Sequence, residues 1–156
     1  MLEAQVLLGG LSESEFDFWT KGGIPKRIDA GETVVGYGDF SDLFLVLEGS
    51  FAVSEDISPS IVGLDSFLTG LLSNREWITD TKMVIWKIDS GRLGQSILDD
   101  ADRFKRLHFS TLQVLALMVR RQRNKNSELV LPRSLALNMQ KGINRFFVLR
   151  KKAGLD

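Results

Sequence analysis

The sequence predicts a mainly β domain with flanking helices, in which a small antiparallel β-barrel is followed by a long helix. Over residues 28–53, short apolar runs alternate with turn residues at regular intervals, a pattern typical of small barrels and sandwiches. From about 101 to 124 the chain has neither glycine nor proline and is apolar on more than one face, which predicts a long buried helix. We therefore divide the chain into a barrel (1–100), the long helix (101–126) and a C-terminal segment (127–156).

A capping box opens the first predicted helix. Ser12 can accept a hydrogen bond at the helix N-terminus, and Glu15 follows at the three-residue spacing of this motif. We expect the helix to end at Gly22 and Gly23, followed by Pro25, because these residues disfavour its continuation.

Apolar runs bounded by turns predict the strands. They comprise residues 33–35, 43–47, 51–53 and 81–88. The turns contain Gly31, Gly38 and Gly49, where we expect positive φ, which is cheap only for glycine. Asp89 or Ser90 caps a short helix after the last strand.

The long helix is apolar nearly all round and must be buried on two sides. One side can cover the sheet, and a second copy of the same helix is the simplest partner for the other. We predict a homodimer through residues 101–124, with an interface formed by Phe104, Leu107, Thr111, Leu115 and Met118. A last helix is predicted from Ser134 to about Lys152, with Gly154 as its stop.

The composition excludes several classes of function. The 156 residues include no cysteine and a single histidine, His108, so disulfides, zinc–thiolate sites and cysteine catalysis are excluded. No nucleophile–base motif or metal-ligand spacing is present, and we expect no enzyme, cofactor or metal. No apolar run approaches the roughly 18 residues of a membrane span, and the N-terminus lacks the basic region of a signal peptide. We expect a cytoplasmic protein without membrane contact.

The net charge of zero conceals a strong asymmetry. Residues 101–156 contain 13 Lys/Arg against three Asp/Glu, a net charge of +10, and residues 1–100 carry a net charge of −10. A basic rear half either lies near nucleic acid or is a solvated helix surface. The sequence leaves both interpretations open.

Five short motifs follow one another along the chain: Leu11-Ser12, Ala30-Gly31-Glu32, Gly38-Asp39, Leu47-Glu48-Gly49-Ser50 and Gly63-Leu64-Asp65-Ser66-Phe67-Leu68-Thr69-Gly70. Their order resembles the cyclic-nucleotide-binding domain of the Crp/Fnr transcription regulator family, over roughly residues 6–155. The resemblance implies a double-stranded β-helix, or jelly roll, with an effector pocket at residues 61–76 and a dimerisation helix behind it.

The pocket segment departs from the family pattern. In members that bind cyclic nucleotides, the resemblance implies a glycine amide and an acid for the ribose, then an arginine followed by a small residue for the phosphate. Here Gly63 is present, Leu64 occupies the place of the acid, and Glu76 follows Arg75. We predict a changed pocket that does not bind cyclic AMP in the usual way; another small ligand or a filled pocket stays open. Its residues are Gly63, Leu64, Asp65, Ser66, Arg75, Glu76 and Trp77.

Two further departures concern length. Only the seven residues SEDISPS separate Val53 from Ile61, so one hairpin of the family's barrel is missing. In regulators of this family the long helix leads into a DNA-binding helix-turn-helix, and residues 133–155 look like only the first helix of that part. We expect a chain that lacks the helix-turn-helix.

Two functions are consistent with this resemblance. The first is the sensor and dimerisation domain of a Crp/Fnr-type regulator, which responds to a small-molecule effector or none and reaches DNA only through a C-terminal part absent from this chain. The second is a standalone interaction or scaffold protein that binds neither DNA nor ligand.

Overall fold

Twelve helical and strand elements lie in the part of the chain that the structure describes. This structure is a computed structural model that describes residues 2–54, 58–100, 102, 105, 111–119 and 133–156, without the side chains of 2, 96, 97 and 133–137. The α1, α2, α3, α4 and α6 helices span Leu2–Gly10, Glu13–Gly22, Leu64–Thr69, Ser90–Asp99 and Arg133–Lys152, and α5 is described over 111–119. The β1 to β6 strands span Gly23–Ile28, Thr33–Val35, Leu43–Glu48, Ile61–Val62, Trp77–Ile78 and Met83–Ile88.

The strands form two antiparallel sheets. The larger has the order β1-β6-β3-β4, and the smaller pairs β2 with β5. Pro25 lies in β1, an edge strand, where a residue without an N–H is tolerated. Outside these strands, an isolated bridge pairs Phe51 with Thr79. The predicted closed barrel is not found among the described residues, because the smaller sheet has strands of only three and two residues.

Each face of the larger sheet carries its own hydrophobic cluster. Side chains alternate along β3, so Leu43, Leu45 and Leu47 face one side and Phe44 and Val46 the other. On the first side, the main core cluster packs the sheet against the α1, α2 and α6 helices. On the second side, the second core cluster packs the sheet against the smaller sheet; it comprises Ile28, Val35, Phe44, Val46, Phe51, Val62, Met83 and Ile85.

The α1 and α6 helices cross with their backbones in contact. A Cβ atom added to Gly142 would lie 1.7 Å from the Gln5 carbonyl oxygen, and one added to Gly9 would lie 1.9 Å from the Asn138 carbonyl oxygen. Glycine at both positions is therefore required for this close approach.

A buried arginine also fixes α6 to the N-terminal helices. The Arg145 Nη1 atom donates to the carbonyl oxygens of Leu8 and Leu11, each at 2.6 Å, and Nη2 contacts Glu13 Oε1 at 2.7 Å. The guanidinium also stacks over the Phe16 ring, 4.9 Å from its centroid. The sequence predicts residues 127–156 as a hinge and the start of a truncated or lost DNA-binding domain, and this division of the chain stays a prediction. In the structure, α6 packs into the main core cluster.

Several predicted elements are confirmed. Ser12 Oγ accepts a hydrogen bond from the Glu15 N–H at 3.2 Å, as a helix cap does. The strands predicted at 33–35, 43–47 and 81–88 correspond to β2, β3 and β6, and the last helix to α6. The three turn glycines have positive φ, namely Gly31 at 81°, Gly38 at 79° and Gly49 at 90°.

Other expectations differ from the structure. The prediction of a strand at 51–53 is wrong. Only Phe51 forms a β-bridge, to Thr79, and although the Ala52 N–H donates to the Ile78 carbonyl oxygen at 2.8 Å, residues 52 and 53 lie in no strand. The α1 helix and the β1 strand were not predicted from sequence. The predicted long helix is confirmed over 111–119; most of its remaining residues, Phe104 and Leu107 among them, lie outside the described residues.

Candidate functional site

Gly63 connects β4 to α3 in a conformation that only glycine adopts easily. Its φ is +89°, in the left-handed region, and a Cβ atom there would lie 2.0 Å from the Asp42 carbonyl oxygen. Both constraints are structural. The glycine of the predicted pocket is therefore explained by the packing of the chain against the start of β3.

The side chain that stands in the place of the family's acid is part of the core. Leu64 is 4% exposed and belongs to the main core cluster, on the helix-covered side of the larger sheet. Asp65 is exposed to solvent, whereas Ser66 is buried. The start of α3 thus presents an apolar side chain to the core and a carboxylate to solvent.

The second half of the predicted pocket lies on and just before β5. Arg75 is exposed, and its guanidinium carbon lies 5.1 Å from the centroid of the Trp77 ring. Glu76 Oε1 accepts a hydrogen bond from Thr33 Oγ1 at 3.1 Å. Trp77 is half-buried against the second core cluster and meets the Phe51 ring edge-on, with centroids 5.2 Å apart.

The structure therefore divides the predicted set into two groups. Gly63, Leu64, Asp65 and Ser66 belong to the β4–α3 junction. Trp77 begins β5 of the smaller sheet, and Arg75 and Glu76 directly precede it. A short range between them, 71–74, is held to the turn at 36–39 through Ser73.

A small cavity lies beside these groups, and the sequence had not indicated it. Its volume is about 140 Å³, below the roughly 300 Å³ at which ligand pockets usually begin. It is lined by Lys26, Val34, Val35, Asp39, Phe40, Asp42, Phe44 and Lys87. None of the predicted pocket residues lines it. The sequence signal that could have indicated the cavity is a pair of lysines in strands: Lys26 in the edge strand β1 and Lys87 in the mostly buried strand β6.

Asp42 is the best-connected carboxylate of this cavity. Its Oδ1 atom accepts hydrogen bonds from Ser90 N–H and Oγ, each at 3.1 Å, and its Oδ2 atom lies 3.1 Å from Lys87 Nζ. Burial alone would raise the pKa of Asp42, but the hydrogen bonds from Ser90 and the charge and hydrogen bond of Lys87 lower it below its usual value of 3.8. These contacts join the start of β3 to β6 and α4.

The face of α5 that remains exposed differs from the predicted dimer interface. Thr111 is 1% exposed within its own chain, and Leu115 and Met118 are partly buried against the main core cluster. The exposed apolar residues are Leu112 and Val119, at 51% and 48%. A partner helix would therefore meet Leu112 and Val119 before Thr111, and the homodimer itself stays a prediction.

The described ranges contain neither a candidate metal site nor a helix that could span a membrane. No group of three or more His, Cys, Asp or Glu side chains there could hold a metal ion. The helices in this part of the chain include none with the length and apolarity needed to cross a membrane.

Comparison with known proteins supports the fold. No protein-family model and no curated protein sequence matches the chain. Among solved structures, a cyclic-nucleotide-binding domain from Methylobacillus flagellatus KT superposes with a TM-score of 0.63 at 14% identity, covering 82% of this chain and 85% of that one. The N-terminal domain of a transcriptional regulator from Streptomyces coelicolor A3(2) gives a TM-score of 0.53 at 18% identity, covering 85% and 97%.

A third similar structure comes from a different class of protein. The regulatory subunit of a cAMP-independent protein kinase A from Trypanosoma brucei gives a TM-score of 0.51 at 20% identity, covering 67% of this chain and 43% of that one. Identities this low establish the fold alone. The chain has the fold of a cyclic-nucleotide-binding domain, with an antiparallel sheet and flanking helices.

Proposed function

We propose that this chain is the regulatory domain of a Crp/Fnr-type transcription regulator whose effector pocket does not bind cyclic AMP in the usual way. The observation that carries this proposal is the burial of Leu64. The side chain in the acid's place is 4% exposed within the main core cluster, so it offers a ribose neither an acceptor atom nor an accessible surface.

The phosphate side of the pocket supports the same proposal. An arginine binds a phosphate through two parallel charge-assisted hydrogen bonds. Arg75 instead lies over the Trp77 ring, and the carboxylate of Glu76 follows it directly. A neighbouring negative charge opposes the approach of a phosphate.

The filling of the interior also supports the proposal. The second core cluster occupies the space between the two sheets, and Trp77 and Phe51 close it with an edge-on ring contact. The adjacent cavity of about 140 Å³ is smaller than the volume a nucleotide requires. A ligand held in this cavity would therefore be smaller than a cyclic nucleotide.

In this proposal the chain acts as a cytoplasmic homodimer and performs no catalysis. The exposed Leu112 and Val119 of α5 lie seven residues apart, on one face of the helix, and suit a helix–helix contact. The dimer would pass its state to a DNA-binding part outside residues 1–156, as the regulator likeness suggests. A jelly-roll barrel completed around the two sheets belongs to the same proposal.

A second candidate, a standalone interaction or scaffold protein, is favoured by the position of α6. In the regulator proposal this helix begins the DNA-binding part. Here it contacts the α1 backbone at Gly142 and buries Arg145 against the ends of α1 and α2. A helix packed this way is not free to move with a separate domain.

Ligand-dependent thermal unfolding tests the pocket. A ligand at 100 times its Kd would stabilise the folded state by about 2.7 kcal/mol, or a rise in Tm of roughly 5–10 °C. We expect no rise with cyclic AMP or cyclic GMP at millimolar concentration. A rise that grows with concentration and disappears in Arg75→Ala would contradict the proposal; Arg92→Ala, an exposed arginine on α4, serves as the matched control.

DNA binding by the complete gene product separates the two candidates. Specific binding to its own promoter region would support the regulator. A natural chain that ends at Asp156 and binds no DNA specifically would support the scaffold.

A further inference from the structure

Five large apolar side chains are exposed together at one end of the larger sheet. We call them the tip surface: Tyr37 (77% exposed), Phe40 (52%), Leu68 (36%), Leu71 (67%) and Leu72 (58%). They come from two segments: the turn before β3 carries Tyr37 and Phe40, and the chain from the last turn of α3 onward carries Leu68, Leu71 and Leu72.

Backbone hydrogen bonds hold the two segments of the tip surface side by side. The Gly38 N–H donates to the Ser73 carbonyl oxygen, and the Ser73 N–H donates to the Asp39 carbonyl oxygen, both at 2.8 Å. Phe40 and Leu72 each follow or precede these bonded residues by one position. These bonds place the backbone that carries Tyr37 and Phe40 next to the backbone that carries Leu71 and Leu72, and Leu68 precedes these leucines in α3.

The fold does not need these side chains. The second core cluster is formed by other residues, and none of the five belongs to either set of buried core residues. Exposed apolar surfaces of this kind mark interaction sites in soluble proteins.

Acidic side chains flank the tip surface. Asp65 lies one turn of α3 before Leu68, and both are exposed. Asp39 lies next to Phe40 and is also exposed. Glu76 adds a third carboxylate, and the cations nearby are Arg75 and the exposed Lys26, which lines the small cavity with Asp39 and Phe40. Three carboxylates against two cations leave a small negative excess around the tip surface.

A complementary surface lies on α6. We call it the α6 surface: Phe147 (52% exposed) and Val148 (39%), with Lys151 and Lys152 four residues further along the helix. Both lysines are exposed, and neither forms an ion pair within the described part of the chain. The α6 surface has apolar residues beside lysines, and the tip surface has apolar residues beside carboxylates, so the two surfaces are complementary in charge.

The two surfaces lie at opposite ends of the larger sheet. The turn of the tip surface directly precedes Leu43, at the start of β3. At the other end of β3, Arg150 of α6 donates to the Leu47 carbonyl oxygen and pairs with Glu48. One copy therefore cannot bring its own surfaces together, whereas two copies can.

We propose that the tip surface of one copy binds the α6 surface of a second copy, head to tail. Such a contact is heterologous, because different surfaces meet, and it extends into a chain or closes into a ring. The inference does not depend on the proposed function, since it uses neither the effector pocket nor the face of α5.

Paired charge reversals test the contact. One variant carries Asp65→Lys and Asn74→Lys on the side of the tip surface, where the exposed Asn74 follows Ser73, so that both surfaces become basic. The other variant carries Lys151→Glu and Lys152→Glu on the α6 surface, so that both surfaces become acidic. None of these four side chains makes a hydrogen bond or ion pair among the described residues. In sedimentation velocity over a concentration series, the sedimentation coefficient of the wild type should rise with concentration as the chains self-associate. Each variant alone should associate at least about tenfold more weakly, and an equimolar mixture should recover assembly.

A leucine pair provides the apolar arm of the experiment. Leu71→Asp should weaken assembly about tenfold or more, whereas Leu98→Asp, at the 81% exposed Leu98 on α4, should leave it unchanged. Thermal unfolding of each variant verifies folding. The proposal is overturned if the wild type does not assemble, if the charge variants assemble as the wild type does, or if their mixture gives no recovery. A dimer that persists in all variants would instead belong to the face of α5.

Discussion

The two faces of the larger sheet differ in the elements that cover them. On the helix-covered face, Leu45 is fully buried, and glycine contacts and a buried arginine fix α6 against α1. On the face toward the smaller sheet, the cover consists of strands of three and two residues and the half-buried Trp77. The helix-covered face is thus covered by longer elements than the face toward the smaller sheet.

This difference predicts where substitutions are tolerated. Glu76 is exposed beside the smaller sheet, so a substitution there should cost little stability, whereas Met83 and Ile85 on the same face of the larger sheet are buried. Leu64 lies on the other side and adds to the main core cluster. The predictions below either contradict this contrast or refine it, from the largest expected effect to the smallest.

The largest effect is expected at the crossing of α1 and α6. Gly142→Ala should lower the free energy of unfolding by about 3–5 kcal/mol, because the added methyl group would lie 1.7 Å from a backbone oxygen and the helices must separate. Urea unfolding measures it. The matched control is Gly94→Ala in α4, where a Cβ meets nothing; it should raise stability by about 0.5 kcal/mol. Equal losses in both variants would contradict the crossing.

Next comes the arginine that joins α6 to the N-terminal helices. Arg145→Met should cost about 2–4 kcal/mol, because it leaves the Leu8 and Leu11 carbonyl groups without this donor and removes the 2.7 Å ion pair with Glu13, which then keeps only Lys141 at 3.7 Å. Arg92→Met, on the exposed face of α4, should change stability by less than about 0.5 kcal/mol. The same denaturant experiment compares the two. A loss in Arg145→Met no larger than the control's would show that α6 is held by apolar contacts alone.

Two tryptophans compare the faces directly. Trp86 is 3% exposed in the main core cluster, and Trp86→Ala should lower the free energy of unfolding by about 3–5 kcal/mol. Trp77→Ala should cost only about 1–2 kcal/mol, because its side chain is half-buried and its loss removes less apolar area from the core. Chemical unfolding of both variants checks the order. A larger loss at Trp77 would reverse the contrast between the faces.

The smallest effect concerns pH. The pKa of Asp42 is lower in the folded state than its usual 3.8, so its contribution to stability is present above that pH and is lost as the pH falls through the folded value. Asp42→Asn should cost less than about 1 kcal/mol near neutral pH, and its difference from the wild type should shrink below about pH 4. Urea unfolding of both proteins near neutral pH and below about pH 4 measures the difference in the free energy of unfolding. Asp80→Asn, an exposed turn residue, is the control, and a difference that grows in acid would refute the assignment.

Much of the fold was predictable because local chemistry determines it. Ser12 caps α2 through its own hydroxyl, and Gly49 adopts the positive φ that its turn requires, so both could be recognised from neighbouring residues alone. The β1 strand could not, because it carries a proline and exposed charged residues and is held in place by pairing with the distant β6. Sequence spacing contains no information about that pairing.

The site was predictable only as a list of residues. Gly63 and Arg75 occupy recognisable positions in the sequence, yet the direction of each side chain depends on contacts far along the chain. Leu64 points into a core made by helices at both ends of the sequence, and the cavity at Asp42 depends on Ser90 and Lys87. A position in a motif therefore identified candidate residues, but neither their arrangement in the fold nor what they can bind.

Calorimetric titration of the wild-type chain with cyclic AMP tests the central claim most directly, that the fold remains and the nucleotide site does not. The account predicts no saturable heat of binding at cyclic AMP concentrations up to about 1 mM, the range of the weakest specific affinities. Saturable binding of one cyclic AMP per chain, lost in Arg75→Ala and retained in Arg92→Ala, would contradict it.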